Sequence, residues 1–298
     1  MKINQKKQQA LVAYLFILPG LLLYIIFLIY PILKALQISF YEWNIMLGSQ
    51  NIFVGMANYE RALSDPIVGV ALKNTTLYTI VTVPGQMVIA LFIALLLNKI
   101  TKGKIFFRTI YYIPVVTSWV VVSLLFRYLF QSPKGIINFI IVNVLGVVQK
   151  PIPWLQEATT AFFPILSLGI WKGIGWTMVI FLAALETISP DLYEVAEIDG
   201  ANGWQKLTGI TLPLIRPTLV FTSVMLMIGG FNVFISVFLI TQGGPLQRTE
   251  VILSYMYRQA FNYLDFGYGA ALSFILTIII AVLSFLQIRF LRKPEEIV

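Results

Sequence analysis

The chain contains neither cysteine nor histidine. The first absence excludes disulfide frameworks, thiolate metal sites and cysteine nucleophiles. The second removes the usual general base and the commonest metal ligand. Charge is scarce as well: 11% of the 298 residues are charged, against about 25% in an ordinary soluble domain. With 58% hydrophobic residues and a mean hydropathy of +0.85, most of the surface must face something other than water. The few charges are clustered, with long uncharged tracts between them, which reads as membrane spans.

The net charge of +8 does not point to nucleic acid. The basic residues sit in short segments between apolar tracts, and no basic stripe with interleaved aromatics remains. A phosphate-cradling G-x-x-x-x-G-K-[ST] sequence is missing too, since Gly103-Lys104 has neither the upstream glycine nor the following hydroxyl. The apolar tracts hold no clustered carboxylates, so an intramembrane enzyme lacks its chemistry. Any ATP used must be hydrolysed by another chain.

What is present is six apolar tracts, near 11–33, 75–97, 109–130, 161–185, 217–240 and 268–289, each matching the about 20 residues that a bilayer core demands. They predict an all-α membrane protein of six transmembrane helices, built as a single domain over 1–298. The first tract is too long for a secretory h-region and no small-residue cleavage site follows it, so it reads as an uncleaved helix. Lys2, Lys6 and Lys7, then Lys99, Lys102, Lys104 and Arg108, then Arg289, Arg292 and Lys293 fall on one side of the six spans. That side should be the cytoplasm, with both termini there; Lys102 then lies inside and Ser49 outside. Aromatic residues of the opposite loops, such as Trp43, Trp154, Tyr255 and Tyr257, fit an interfacial belt.

The loop at 186–216 breaks the charge bias, with Lys206 and Arg216 against five acidic residues. Ser189 is a good N-cap, Pro190 suits the first helical position, Asp191 complements the positive helix end and Gly200 supplies a stop. A short helix is predicted over 190–199 and a second near 203–209, before Pro213. Leu192, Val195, Ala196 and Asp199 share a face of the first. The small residues Ala196, Gly200 and Ala201 admit close approach by another backbone, and Glu194, Glu197 and Asp199 offer acceptors to basic groups. The same features also describe a capped surface hairpin kept soluble by its acids.

Glu194, Ala196, Gly200, Ile210, Leu212 and Pro213 stand at the spacing E-A-A, three residues, G, nine residues, I-x-L-P. In this the sequence resembles the permease subunits of bacterial binding-protein-dependent ABC importers, with Val195 where that family favours alanine. Further stretches resemble the maltose-type carbohydrate-uptake branch: Phe107-Arg-Thr-Ile-Tyr-Tyr-Ile-Pro114, Gly135-Ile-Ile-Asn138, Trp154-Leu155, Thr241-Gln-Gly-Gly-Pro245 and Phe266-Gly-Tyr-Gly-Ala-Ala271. The resemblance implies a multi-pass subunit of the bacterial cell membrane that carries sugar inward. Its coupling helix would lie between spans four and five, with Glu194, Ala196, Asp199, Gly200, Ala201, Ile210, Leu212 and Pro213 seated on an ATPase. It implies a second homologous permease, two ABC ATPase subunits and an extracytoplasmic solute-binding protein as partners. ATP and magnesium would be bound by the ATPases, and no cofactor by this chain.

The rival reading is a secondary transporter or channel, which usually needs ionisable groups at depth. Lys172 is the clear candidate within a span, with Arg127 and Glu186 near span ends; from its position Lys172 is expected to snorkel. For the substrate path, Trp171, Trp176 and Thr177 on span four and Phe231, Asn232 and Ser236 on span five combine aromatic faces with amide and hydroxyl groups, which suit sugars. Asn232 and Ser236 stand at i and i+4. These residues serve equally as packing between helices, as do Gly169-x-x-x-Gly173 and Gly229-Gly230. The resembled family often has an acid in the stretch Phe231-Asn232-Val233-Phe234; asparagine there favours a neutral sugar over a cationic ligand.

Overall fold

The computed structural model describes residues 5–43, 51–100 and 102–291. Lys2, Ser49, Arg292 and Lys293, used in the orientation argument, lie outside the described residues. Along the chain run α1 (Gln5–Tyr24), a π-helical turn, α2 (Tyr30–Ile38), a strand pair β1 (Tyr41–Glu42) and β2 (Ile52–Phe53), and α3 (Ala57–Ser64). Then come α4 (Pro66–Lys99), α5 (Lys104–Val116), α6 (Trp119–Leu129), the short α7 (Ile136–Phe139) and α8 (Phe163–Leu185). The loop helices α9 (Pro190–Ile198), α10 (Gly203–Lys206) and α11 (Leu212–Leu214) lead into α12 (Arg216–Phe231) and α13 (Ile235–Ile240). The short α14 (Ile252–Tyr257) precedes the final α15 (Phe266–Leu291).

Among the described residues, Val12–Ile38, α4, α8, Arg216–Ile240 and α15 are long and apolar enough to cross a membrane, and the bent pair α5–α6 makes six if the two segments form one span. Three details depart from the tracts read from sequence. Helix α4 starts at Pro66 rather than near 75, because Asp65 caps it by accepting from the Ile67 N–H (2.9 Å) and Pro66 fits its first turn. Lys73 and Asn74 hid that turn from a hydropathy reading; Asn74 is satisfied internally, donating to the carbonyls of Arg248 and Glu250 (both 2.8 Å). The third span is not one straight helix but two segments bent by 91°, with Thr117 and Ser118 extended between them. The fifth is interrupted at Asn232–Phe234, where Phe234 leaves helical geometry (φ −144°, ψ −64°).

Two compact units are present. One comprises the chain up to Ser64 with Met256–Ile275. In it β1 and β2 pair antiparallel, Tyr41 opposite Phe53, and the Asn58 amide bonds the carbonyls of Ser39 (2.9 Å) and Tyr41 (3.0 Å). Arg61 pairs with Asp265 (2.7 Å) and lies 3.8 Å above the Tyr268 ring, a guanidinium held by charge and π-face together. Nothing in the hydropathic window of Val12–Ile38 is buried within the chain, so that helix meets lipid or another chain.

The other unit comprises Asp65–Tyr255 with the chain from Leu276, and α4 against α8 is its axis. Ala90, Ala94 and Leu97 recur at helical spacing on α4 and pack on Met178, Phe181, Leu182 and Leu185 of α8. Small residues on one helix thus receive large ones on the other. A second cluster joins Tyr78, Val122, Ile165, Leu168, Val233 and Val237. Between the two clusters the facing residues turn polar.

Candidate functional site

On α4 the row Tyr78, Thr82, Gln86 advances by four residues and so stays on one face. It packs on Gly169 and Gly173 of α8, and together with these, Lys172 and Trp176 it lines a cavity of about 620 Å³. The bend of the third span contributes Val115 and Trp119, and the interrupted fifth span contributes Gly229 to Ser236 except Phe231. Of the residues singled out from sequence, Trp176, Asn232 and Ser236 line this cavity. Trp171 lies elsewhere, its ring 5.7 Å from that of Phe126. Thr177 is fully buried and donates back to the Gly173 carbonyl (3.1 Å), and Phe231 is buried away from the cavity. Asn232 and Ser236 reach the same space because the helix breaks between them, not through a shared helical face. Asn232 is exposed, and its Nδ2 donates to the Ile228 carbonyl (2.8 Å) at the end of α12.

Sequence reasoning missed Tyr78, Thr82, Gln86 and Trp119. For the first three a signal existed, a polar row at i, i+4, i+8 in an apolar helix. For Trp119 there was none, since only the 91° bend places it.

Lys172 does not snorkel. It is 3% exposed, and its ammonium donates to the carbonyls of Pro114 (2.7 Å), Thr117 (2.7 Å) and Val115 (3.3 Å). The end of α5 leaves carbonyls with no helical partner, and in lipid such groups must be satisfied within the protein. An ammonium at a helix C-terminus supplies both the donors and the favourable charge. The Trp119 ring, 4.9 Å from the same Nζ, adds a cation–π contact. The glycines of α8 allow close approach: a Cβ on Gly169 would meet the Tyr78 hydroxyl, one on Gly173 the Gln86 amide, and one on Gly175 the Tyr111 carbonyl. Gly230 is likewise crowded by Thr79, while Gly229 has open space.

The loop between α8 and α12 forms a second candidate surface. The Asp191 N–H is 3.4 Å from Ser189 Oγ at the start of α9. At its end Gly200 adopts φ +79°, its N–H bonds the Glu197 carbonyl (3.0 Å), and the Ala201 N–H bonds that of Ala196 (2.8 Å). This paired C-terminal closure needs a left-handed residue, which glycine supplies without strain. Asn202 and Gln205 then close a capping box (2.8 and 3.0 Å) that starts α10. The Lys206–Glu197 ion pair (2.7 Å) and the Tyr193–Thr211 hydroxyl pair (2.9 Å) brace the hairpin. Hydrogen bonding to Lys206, then its charge, holds the Glu197 carboxyl below its ordinary value. Acidification through the carboxylate range therefore releases this brace, which is intact above that range.

On this scaffold Leu192, Val195 and Ile198 of α9 are exposed, the last at 85%, and so is Trp204 of α10. Glu194, Asp199 and Gly200 are exposed as well, Ala196, Ala201, Ile210 and Leu212 are half-buried, and Pro213 is exposed. Leu192, Val195, Ile198 and Trp204 thus stand exposed outside the membrane-length helices.

The family model described as "binding-protein-dependent transport system inner membrane component" matches residues 71–293. The lactose transport system permease protein of Rhizobium radiobacter is 34% identical over 287 residues, covering 95% of this chain and 94% of that protein. The arabinooligosaccharides transport system permease protein of Halalkalibacterium halodurans is 36% identical, covering 94% and 87%. Among solved structures, a chain of a bacterial ABC transporter involved in the import of alginate superimposes with a TM-score of 0.83 at 24% identity, covering 98% of this chain and 99% of that one.

Proposed function

The chain belongs to the family of binding-protein-dependent transport system inner membrane components, and on that premise we propose that it is the permease subunit of an ATP-driven importer of sugars, oligosaccharides in particular. The observation that carries the proposal is the α9–α10 hairpin, a braced platform presenting Leu192, Val195 and Ile198 outside the apolar helices. Relatives named for lactose and arabinooligosaccharide transport support the cargo. A relative in structure, solved with a pentasaccharide-bound periplasmic protein, supports a solute-binding partner.

In this reading a second permease completes the path, and two ATPase subunits sit against α9 in the cytoplasm, where both termini also lie. These ATPases bind ATP with magnesium; closing around it, they move α9. The platform is braced by the Lys206–Glu197 and Tyr193–Thr211 pairs and joins α8 and α12 at either end, so its displacement passes to them. Those helices line the cavity, which is thereby opened to one side of the membrane and closed to the other. Alternation requires a ligand that binds the two states differently, a role for the loaded binding protein outside and for ATP inside. Asn232, Ser236 and Trp176 offer the sugar amide, hydroxyl and aromatic groups.

An ion-coupled carrier is less well supported. Among the described residues no carboxylate lines the cavity, and the Lys172 ammonium is already engaged by carbonyls. The deciding experiment follows uptake of lactose and of arabinotriose in cells producing the whole transporter. Depleting ATP while preserving the proton gradient abolishes uptake; collapsing the gradient at constant ATP does not. The opposite pattern would remove the importer reading.

A further inference from the structure

We propose that the segment 136–147, α7 and the turns that follow it, is seated in the phospholipid leaflet at the end of α8 opposite the α9–α10 hairpin. Its aliphatic face enters the acyl chains, and Lys134 and Lys150 meet the lipid phosphates on either side. The proposal depends on the chain being a membrane protein, not on its cargo or its energy source.

From Gly135 to Gln149 the sequence carries no charge. Helix α7 continues into a π-helical turn over Ile140–Val144. Along this run Ile136, Phe139, Ile140, Asn143 and Val144 are exposed, at i, i+3, i+4, i+7 and i+8, and so are Leu145 and Val147 beyond it. The other face holds Ile137, Asn138, Ile141 and Val142, all buried or half-buried. An ordinary surface helix hides its apolar stripe, whereas one that is apolar on both faces belongs inside a protein or against lipid. The segment is also tightly held. Asn138 Nδ2 donates to the Ile152 carbonyl (2.9 Å), and its Oδ1 accepts from the Ile152 N–H (3.0 Å) and the Trp154 indole (3.1 Å). The Trp154 ring stacks on Phe163, the first residue of α8 (5.4 Å), and meets Phe130 edge-on (5.4 Å). Gly135 passes so close to the carbonyls of Leu129 and Gln131 that a Cβ there would overlap them. The apolar face is thereby fixed beside the start of α8, a helix long and apolar enough to cross a membrane, which is the level where hydrocarbon ends.

Charge and composition select lipid over a protein partner. Lys134 and Lys150 bracket the uncharged run, both are exposed, and among the described residues neither is in an ion pair. Protein interfaces are enriched in aromatic residues, Met and Arg and depleted in Lys. Here the exposed face is aliphatic apart from Phe139 and Asn143, and the flanking cations are both lysines. Lysines beside an aliphatic stretch at a bilayer surface lay their stems along it and hold the ammonium among the headgroups. Trp154, at the same level, is a residue type of that zone too. Apolar exposure begins already on α6, with Val120, Val121, Leu124 and Leu125, and runs on along the chain into α7.

The test places nitroxide labels on Phe139→Cys, Val144→Cys and Gln149→Cys, made singly in this cysteine-free chain. All three positions are exposed, so the label disturbs no packing. The whole transporter, with cysteine-free partner subunits and its binding protein, is reconstituted into bilayers of phosphatidylethanolamine and phosphatidylglycerol. Electron paramagnetic resonance then compares collisions with oxygen, which concentrates among acyl chains, and with a neutral nickel chelate, which stays in water. Labels at 139 and 144 collide severalfold more with oxygen than with the chelate, and the label at 149 does the reverse. When Lys134→Glu and Lys150→Glu are combined, the oxygen-to-chelate ratio at 144 falls about twofold or more, because the phosphates now repel the segment's flanks. Chelate-dominated collisions at 139 and 144 would put the face in water and overturn the proposal. Protection from both reagents would overturn it as well, by showing that another subunit or the binding protein covers the face. An unchanged ratio in the combined variant would overturn the pairing of the lysines with phosphate.

Discussion

Lys172 shows how a single residue changes meaning once its neighbours are known. On a helical wheel it is one cation in an apolar span, for which reaching toward the interface is the low-energy solution. The bend at Thr117 creates another solution by presenting unpaired carbonyls at hydrogen-bond distance. Lys172→Met is therefore expected to destabilise the protein by on the order of 1–3 kcal/mol, the cost of leaving buried carbonyls unsatisfied, and thermal melting of the purified complex measures it. Asn232 shifts the other way. As a buried amide it would need a partner, but it is exposed at the end of α12. Asn232→Leu should accordingly slow sugar uptake severalfold while altering stability by no more than about 1 kcal/mol, the range of exposed substitutions. Uptake at the wild-type rate in a stable complex would take Asn232 off the path.

At the level of elements, the α9–α10 hairpin was the most legible part of the molecule. Its caps, its stop at Gly200 and its brace are local in sequence, so residue identity and spacing specify them without help from distant parts of the chain. Gly200→Trp places a β-carbon and an indole where φ is +79° and should reduce copurification of the ATPase severalfold while leaving membrane insertion intact. Glu194→Lys should act in the same direction by reversing an exposed charge. If both variants copurify with ATPase at wild-type yield and transport normally, coupling resides elsewhere. The glycines of the spans divide in a way that sequence could not divide them. Gly175→Ala drives a Cβ into the Tyr111 backbone carbonyl, which cannot move aside, whereas Gly229→Ala meets nothing within 4 Å. Thermal melting should show a loss of at least about 1–3 kcal/mol for the first, as overpacking costs, and nearly none for the second.

At the scale of the molecule, the orientation is a prediction from lysine and arginine placement, and the absence of cysteine makes it easy to test. A cysteine replacing the exposed Ile52 should react with an impermeant maleimide from outside, and one replacing Lys102 only after permeabilisation. The reverse pattern would invert the topology. The sequence alone determined the membrane class and the hairpin, because each depends on composition or on neighbours a few residues apart: bilayer thickness sets tract length and local capping sets the loop. The tertiary structure alone decided where the third span bends, that Lys172 closes that bend, and which residues share a cavity. Those outcomes arise where carbonyls freed in one helix meet a side chain of another more than fifty positions away, as Thr117 meets Lys172. No period within either segment records that meeting, since it exists only when α4, α5 and α8 are packed together.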